Sequence, residues 1–330
     1  MALGPLVIQA GITMPGASAY ALSPADLSPV VTPPFEPLAS YDWMFGADYG
    51  DLSDAISGAK LQQDIGLSVT TAGSGYETSG ALVFSGGGAT TQATGLWFST
   101  GGAITGVYIT SPGAGYVSAP TVTAATSSGT GAVITPTLGG VGSLGSNSII
   151  LPTGGGKGLL TPVSDSQDQT MCAVIKVNKN PTGSGIGVVF GTLFTNSNPT
   201  GGVNAGSGLF LQGSVGYQTT IRPGGGSVTD EPTGISDGAF AFVALSEAPA
   251  GSIITYWGGP APTVYTKTQV KTVAPVPPKL ALGQGYYLNT GFSLEVAEFM
   301  IIPRATTQAE LGVVYARSKA RMAERGIAVY

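Results

Sequence analysis

The chain has 330 residues, including 52 glycines, 23 prolines, a single cysteine and no histidine, and its net charge is -5. This excludes an intrachain disulfide, a cysteine-ligated metal and any reaction that depends on a histidine base or ligand. Only 9% of residues are charged, against about 25% in ordinary soluble proteins, so Ser, Thr, Asn, Gln and Gly must cover the surface. No clustered Lys and Arg are available for a phosphate backbone, and no nucleic-acid partner is expected.

Residues 1–40 carry Pro5, Pro15, Pro24, Pro29, Pro33, Pro34 and Pro37 among apolar residues such as Leu6, Ile8 and Ile12. They predict an extended arm docked on a neighbour. The start has no basic n-region and is broken by Gly4, Pro5, Gly11 and Pro15, so no signal peptide is expected, and no run is long enough for a membrane-spanning helix. Residues 41–65 form a first strand region: Tyr41–Phe45 has aromatic residues on alternate positions, followed by a loop containing Asp48, Asp51 and Asp54.

The segment 66–144 contains a duplication. Val69–Tyr76 (VTTAGSGY) returns as Ile109–Tyr116 (ITSPGAGY), each a β run leading into a Gly-x-Gly-Tyr turn. A second β run follows (Ala81–Phe84 and Pro120–Thr123), then a glycine stretch and another strand. The tyrosines are expected to pack over their turns. Residues 145–330 hold short strands separated by Gly- and Pro-rich turns, the pattern of an antiparallel sandwich. Cys172 lies in the apolar run Thr170–Lys176 and is expected to be a buried, inert thiol. A helix over 307–325 closes the chain, with Thr307 and Glu310 as a capping box. Its Arg317, Lys319, Arg321 and Arg325 read as a solvated face matched to the helix dipole, and Gly326 as its stop.

Candidate chemistry is sparse, no cofactor is implied and no enzymatic activity is expected. Glu295 and Glu298 form the best-placed carboxylate pair for glycoside hydrolysis, but a spacing of three puts them on opposite faces of a strand, and Glu295 is expected to face solvent. Asp48, Asp51 and Asp54 are weak calcium candidates, as are Asp165 and Asp168, because the runs lack a known loop pattern. No metal is assigned. A sugar site needs an aromatic platform ringed by amides and hydroxyls. Tyr256, Trp257, Tyr286, Tyr287 and Asn289 are the candidates, with Trp97, Tyr108 and Tyr265 also considered. A core role is the simpler reading for each.

Leu294–Leu311 followed by a helix ending at Arg325–Ile327 resembles the end of a laminin-G-like (concanavalin-like lectin) domain. There a strand of the form Glu-Val-Ala-Glu-hydrophobic leads through an Arg-Ala turn to a short helix. Ser148–Pro152 and Met171–Lys176 resemble its early strands. The resemblance implies an all-β fold: an antiparallel jelly-roll sandwich, an inserted or appended small β-repeat module, and one C-terminal helix. It also implies that Glu298 is structural. The Gly-x-Gly-Tyr units are similar to modules of bacteriophage tail-fibre and other virion proteins. That likeness implies a virion structural protein (tail fibre, spike or head decoration) made in the host cytoplasm and acting by binding. Its expected partners are other virion proteins through the N-terminal arm, further copies of itself (a homotrimer by analogy) and host cell-surface polysaccharide. The alternatives are a polysaccharide depolymerase on a jelly-roll fold, or a capsid cement protein without sugar affinity.

Overall fold

The computed structural model describes residues 33–46, 52–139, 142–151, 158–178, 186–192, 206–212, 216–221, 228–230, 238–259, 261–283 and 293–330. In chain order the strands are β1 (Tyr41–Met44), β2 (Gln62–Gln63), β3 (Ile65–Ser74), β4 (Ser79–Ser85), β5 (Thr94–Thr100), β6 (Ala103–Ser111), β7 (Thr121–Ala124), β8 (Thr130–Leu138), β9 (Ser143–Leu144), β10 (Ile149–Leu151) and β11 (Leu159–Ser164). There follow β12 (Gln169–Asn178), β13 (Ile186–Gly191), β14 (Ser207–Gln212), β15 (Gly216–Ile221), β16 (Val228–Asp230), β17 (Phe240–Glu247), β18 (Ser252–Trp257), β19 (Thr263–Thr268), β20 (Lys279–Leu282) and β21 (Ser293–Ile302), then the helix α1 (Gln308–Glu324). The arm expected over 1–40 falls almost wholly outside the described residues.

The fold is an all-β antiparallel sandwich closed by one helix. One sheet runs β19-β18-β17-β12-β21-β10-β9, with β1 also paired to β21, and the facing sheet runs β16-β15-β14-β13-β20-β11-β2. Alternation along each strand turns one row of side chains between the sheets. There Trp43, Phe190, Val243, Trp257, Leu280 and Phe299 make a core. The opposite row of the first sheet, including Val174, Phe242, Ala244 and Met300, packs under α1 through Leu311, Val314, Tyr315 and Met322. Cys172 belongs to this second layer and is fully buried, and burial, helped by Glu36, Glu298 and Asp42, pushes its thiol well up.

The strand β21 departs from simple alternation. Leu294, Val296, Phe299 and Ile301 face the sandwich core, whereas Ala297, Met300 and Ile302 face the helix. Opposite it, the pairing with β12 shifts register between Val174 and Ile175, whose partners are Glu298 and Val296. The extra residue is a β-bulge. It brings Glu298 onto the same side as Glu295, so the expected placement on opposite faces does not hold. Glu295 is also not solvent-facing: it accepts from Ser148 and pairs with Lys176, with its side chain 14% exposed.

The helix starts as its sequence predicts. The Thr307 hydroxyl accepts from the Glu310 N–H and the Glu310 carboxylate accepts from the Thr307 N–H; Gly326 takes φ +74° just past the end. Its basic residues, however, are not a solvated face. Arg321 is buried and donates to Glu298 at 2.7 Å, and Arg317 donates from two nitrogens to buried Glu36. Arg325 donates to the carbonyls of Phe45, Asn147 and Ala297. Lys319 alone of the four fits the expected solvated setting, lying exposed beside Tyr315.

Breaking a buried ion pair by deleting one partner costs about 3–5 kcal/mol. Arg321→Ala is therefore expected to lower urea-measured stability by about 3–5 kcal/mol, whereas Lys319→Ala, at the surface, changes it by about 0.5 kcal/mol or less.

Candidate functional site

The duplicated segment folds into its own small core, and the two units are built from each other's strands. The strands β3–β5 come from the first unit and β6–β8 from the second. Besides the β4–β5 pairing within the first unit, β3 pairs with β8, and β6 pairs with β5. At the middle, β4 of one unit pairs with β7 of the other. Exchanging the units carries β3–β8 into β5–β6 and β4–β7 into itself, an approximate internal two-fold relation that breaks at β4–β5, a pairing inside the first unit that β7 and β8 do not repeat. Neither unit holds its turn without the other.

The Gly-x-Gly-Tyr residues lock this exchange. The Tyr76 hydroxyl accepts from the Ala132 N–H at 3.2 Å, and the Tyr116 hydroxyl accepts from the Ala93 N–H at 2.7 Å. Each tyrosine thus satisfies a backbone donor of the opposite unit, where an unmade bond would cost stability. The first glycine of each turn permits the approach. Gly73 and Gly113 have φ of +66° and +67°, and a Cβ there would lie 2.6 Å from the N of Ala132 and Ala93 respectively. Trp97, Ile104, Ile109, Ile134 and the two tyrosines fill the interior, and Leu160 of β11 and Ala281 of β20 join them from the outer face of the second sheet. The Tyr108 hydroxyl donates to the Val276 carbonyl at 2.7 Å. The module is thereby seated on the sandwich.

The opposite side of the module is open. Ala81, Val83 and Ser85 of β4, Thr121 and Thr123 of β7, Val133, Thr135 and Thr137 of β8, and Thr70 of β3 are all exposed. None is charged. Thr70 and Thr135 share a hydroxyl hydrogen bond at 2.5 Å, and in register Val83 lies opposite Thr123 and Ser85 opposite Thr121. The outward sides of these strands, which belong to two sheets (β6-β5-β4-β7 and β3-β8), thus carry hydroxyls and methyl groups. At its rim, Glu77 accepts from Ser127 and Thr126, and these bonds pull its carboxyl down to about 2.

The candidate ligand residues lie elsewhere. Trp257 is 1% exposed in the sandwich core and Tyr256 is 3% exposed beneath the helix, tilted against Tyr315. Tyr265 packs partly buried against the sandwich core. Trp97 and Tyr108 are buried too. Tyr286, Tyr287 and Asn289 lie outside the described residues, as do Asp48 and Asp51. Asp54 caps a turn. Burial pushes its carboxyl up, but bonds from Ser57 and from the backbone N–H groups of Asp42, Ile56 and Ser57 outweigh this and leave it below its usual value. Asp165 and Asp168 are not a shared site either, since Asp165 is buried in an ion cluster while Asp168 accepts from the Ala305 N–H. Among the described residues no group of three acids or cysteines is placed to hold a metal, and no helix is long and apolar enough to cross a membrane.

Two buried ionic clusters were not foreseen. Under the helix, Glu36, Asp42 and Glu298 meet Arg317 and Arg321. Burial, reinforced by Glu298, pushes the Asp42 carboxyl well up, and its Oδ1 has no partner. With Asp42 protonated, two carboxylates balance two guanidinium groups. At one end of the sandwich, Lys271 lies 2.7 Å from both Asp165 and Glu247, and burial raises the Glu247 carboxyl. The partners are more than 100 residues apart in one pair and 281 in another, so no local pattern marks them.

No family model matches the chain and no curated protein matches it. Among solved structures it is similar to the binding domain of botulinum neurotoxin serotype D, at 13% identity and TM-score 0.39 over 53% of this chain and 43% of that one. The CBM40 domain of the Ruminococcus gnavus IT-sialidase matches at 11% identity and TM-score 0.38 over 52% of this chain and 97% of that domain. The leech intramolecular trans-sialidase matches at 16% and 0.36 over 50% and 26%. The chain thus spans less than half of the toxin domain.

Asp64, where the module joins the sandwich, is fully buried with an unpartnered Oδ2, and burial pushes its carboxyl well above its ordinary 3.8. A raised acid favours folding fully below that ordinary value, and the contribution is lost as pH rises through the folded-state value. Asp64→Asn, neutral at every pH, should gain urea stability relative to the native chain as pH rises from 3.8, with the gain levelling off at higher pH.

Proposed function

We propose that this protein is a structural attachment component of a bacteriophage particle that acts by binding, with an uncharged host-surface polysaccharide as its ligand. The observation that carries this reading is the neutral outward surface of strands β3, β4, β7 and β8 in the repeat module. It offers hydroxyls at fixed strand spacing, methyl groups between them and no charge. Such a face makes hydrogen bonds to sugar hydroxyls without desolvating an ion, and its strands lose little entropy on contact. Its affinity is expected to come from many weak contacts, so several copies on one particle would strengthen attachment through avidity.

The ionisable groups favour binding over catalysis. Glu298, at the centre of the lectin-like resemblance, is occupied by Arg321 and Ser318, and Glu295 by Lys176 and Ser148. Both carboxylates hold the fold together. Attachment to other virion proteins through residues 1–40, and assembly as a trimer, belong to the same proposal and rest on the likeness of the Gly-x-Gly-Tyr units.

On a glycan array, and against polysaccharide from the host surface, the protein is expected to bind without releasing new reducing ends. Thr123→Arg, which places a charge in the middle of the open face, should abolish that binding while leaving the melting temperature unchanged. Release of reducing ends, or undiminished binding by Thr123→Arg, would contradict the proposal.

A further inference from the structure

The cluster around Lys271 has the arrangement of an amide-forming site. Lys271 lies between β19 and β20, Asp165 directly after β11, and Glu247 ends β17. Lys271 Nζ is 2.7 Å from Asp165 Oδ1 and 2.7 Å from Glu247 Oε2. All three side chains are sealed from water, with 1–2% of each exposed. The backbone holds them in place. The Asp165 N–H donates to the Pro278 carbonyl, the Lys271 carbonyl accepts from Gln167 Nε2, and the Thr272 carbonyl accepts from the Gly206 N–H.

We propose that Lys271 and Asp165 condense into an intramolecular isopeptide bond, with Glu247 as the proton carrier. The two carboxylates have different surroundings, and that difference assigns the roles. Asp165 has donors on both oxygens: Lys271 and Gln169 Nε2 on Oδ1, at 2.7 and 2.9 Å, and the Thr192 hydroxyl on Oδ2 at 3.4 Å. Electron density is drawn off its carbonyl carbon from both sides, which favours attack there. Glu247 accepts from Lys271 and Gln169 on Oε2, while its Oε1 has no partner. The Ser207 hydroxyl also acts on the Glu247 carboxyl, and the less held Oε1 is where a proton can sit and from which it can be handed on. The Ser207 hydroxyl completes the surround, 3.4 Å from Lys271 Nζ.

The step balances without any co-reactant. Burial pulls the Lys271 ammonium down, but Glu247 and Asp165 outweigh it and hold the proton on, so proton transfer must come first. The ammonium gives one proton to Asp165, whose Oδ1 lies 2.7 Å away, and the neutral Nζ then attacks its Cγ. A C–N bond forms, protonated Glu247 gives its proton to the departing hydroxyl and takes the second Nζ proton in its place, and the C–O bond breaks. The products are one amide and one water, with no change of oxidation state and Glu247 returned to its starting form. In water the reverse reaction would dominate. Here a dry contact held by the fold supplies the proximity, and amide formation removes two charges that are costly to bury.

The test is the mass of the purified full chain under denaturing conditions. The expected mass is one water below that of the sequence, and a protease digest should yield the peptide containing Lys271 joined to the one containing Asp165. Glu247→Gln keeps the size of the side chain and removes the proton carrier, so that variant should retain the full sequence mass. A native chain at full mass would overturn the proposal, and so would loss of water without the Lys271–Asp165 junction, as from a cyclised aspartate. A junction to Glu247, or unchanged condensation in Glu247→Gln, would overturn the roles assigned. Should Glu247→Gln fail to fold, the mass and digest of the native chain still decide.

Discussion

The pairing of Glu298 with Arg321 is the constraint on which the rest of the sandwich depends. It exists because β21 bulges around Ala297, which turns Glu298 toward the helix while Val296 and Phe299 stay in the core. The freed Ala297 carbonyl then accepts from the Phe45 N–H and from Arg325. One irregular residue therefore fixes the first strand, the last strand and the helix against one another. Glu36 and Arg317 extend the same network to the segment before β1. A charge left alone there would be costly.

A shared logic links the two ionic clusters. Each has one more acid than base, and in each the extra acid has a bare oxygen and a carboxyl pushed up by burial: Asp42 under the helix, Glu247 at the sandwich end. Protonation of that acid restores neutrality without drawing in an ion. A chain with so few charged residues places many of them inside, which leaves the module's outer face to Ser, Thr, Ala and Val. The scarcity of charge and the neutral outer surface of the module thus go together.

Much of this was legible in the sequence because the signals are local. Continuous apolar runs mark β12, β17 and β21, and Thr307 with Glu310 marks the helix start. What escaped is non-local or depends on a single residue. The bulge is invisible in Val-Ala-Glu-Phe, where Ala297 fits either face, and so the relation of Glu295 to Glu298 was misjudged. The arginines of α1 read as solvated because their acids lie far away in sequence, Glu36 being 281 residues from Arg317. In the module, the duplication was plain but its strand exchange was not, since repeat similarity does not say which copy completes which. The buried aromatics had the composition of a sugar platform, and only packing reveals that Trp257 and Tyr256 are walled in.

Hydrogen exchange of the full chain, with and without saturating host polysaccharide, tests most directly whether the neutral face is the working surface and the buried charges are framework. The account predicts added protection in β3, β4, β7 and β8 and unchanged exchange around Glu298 and Lys271. Protection centred on either ionic cluster, with the module strands unaffected, would contradict it.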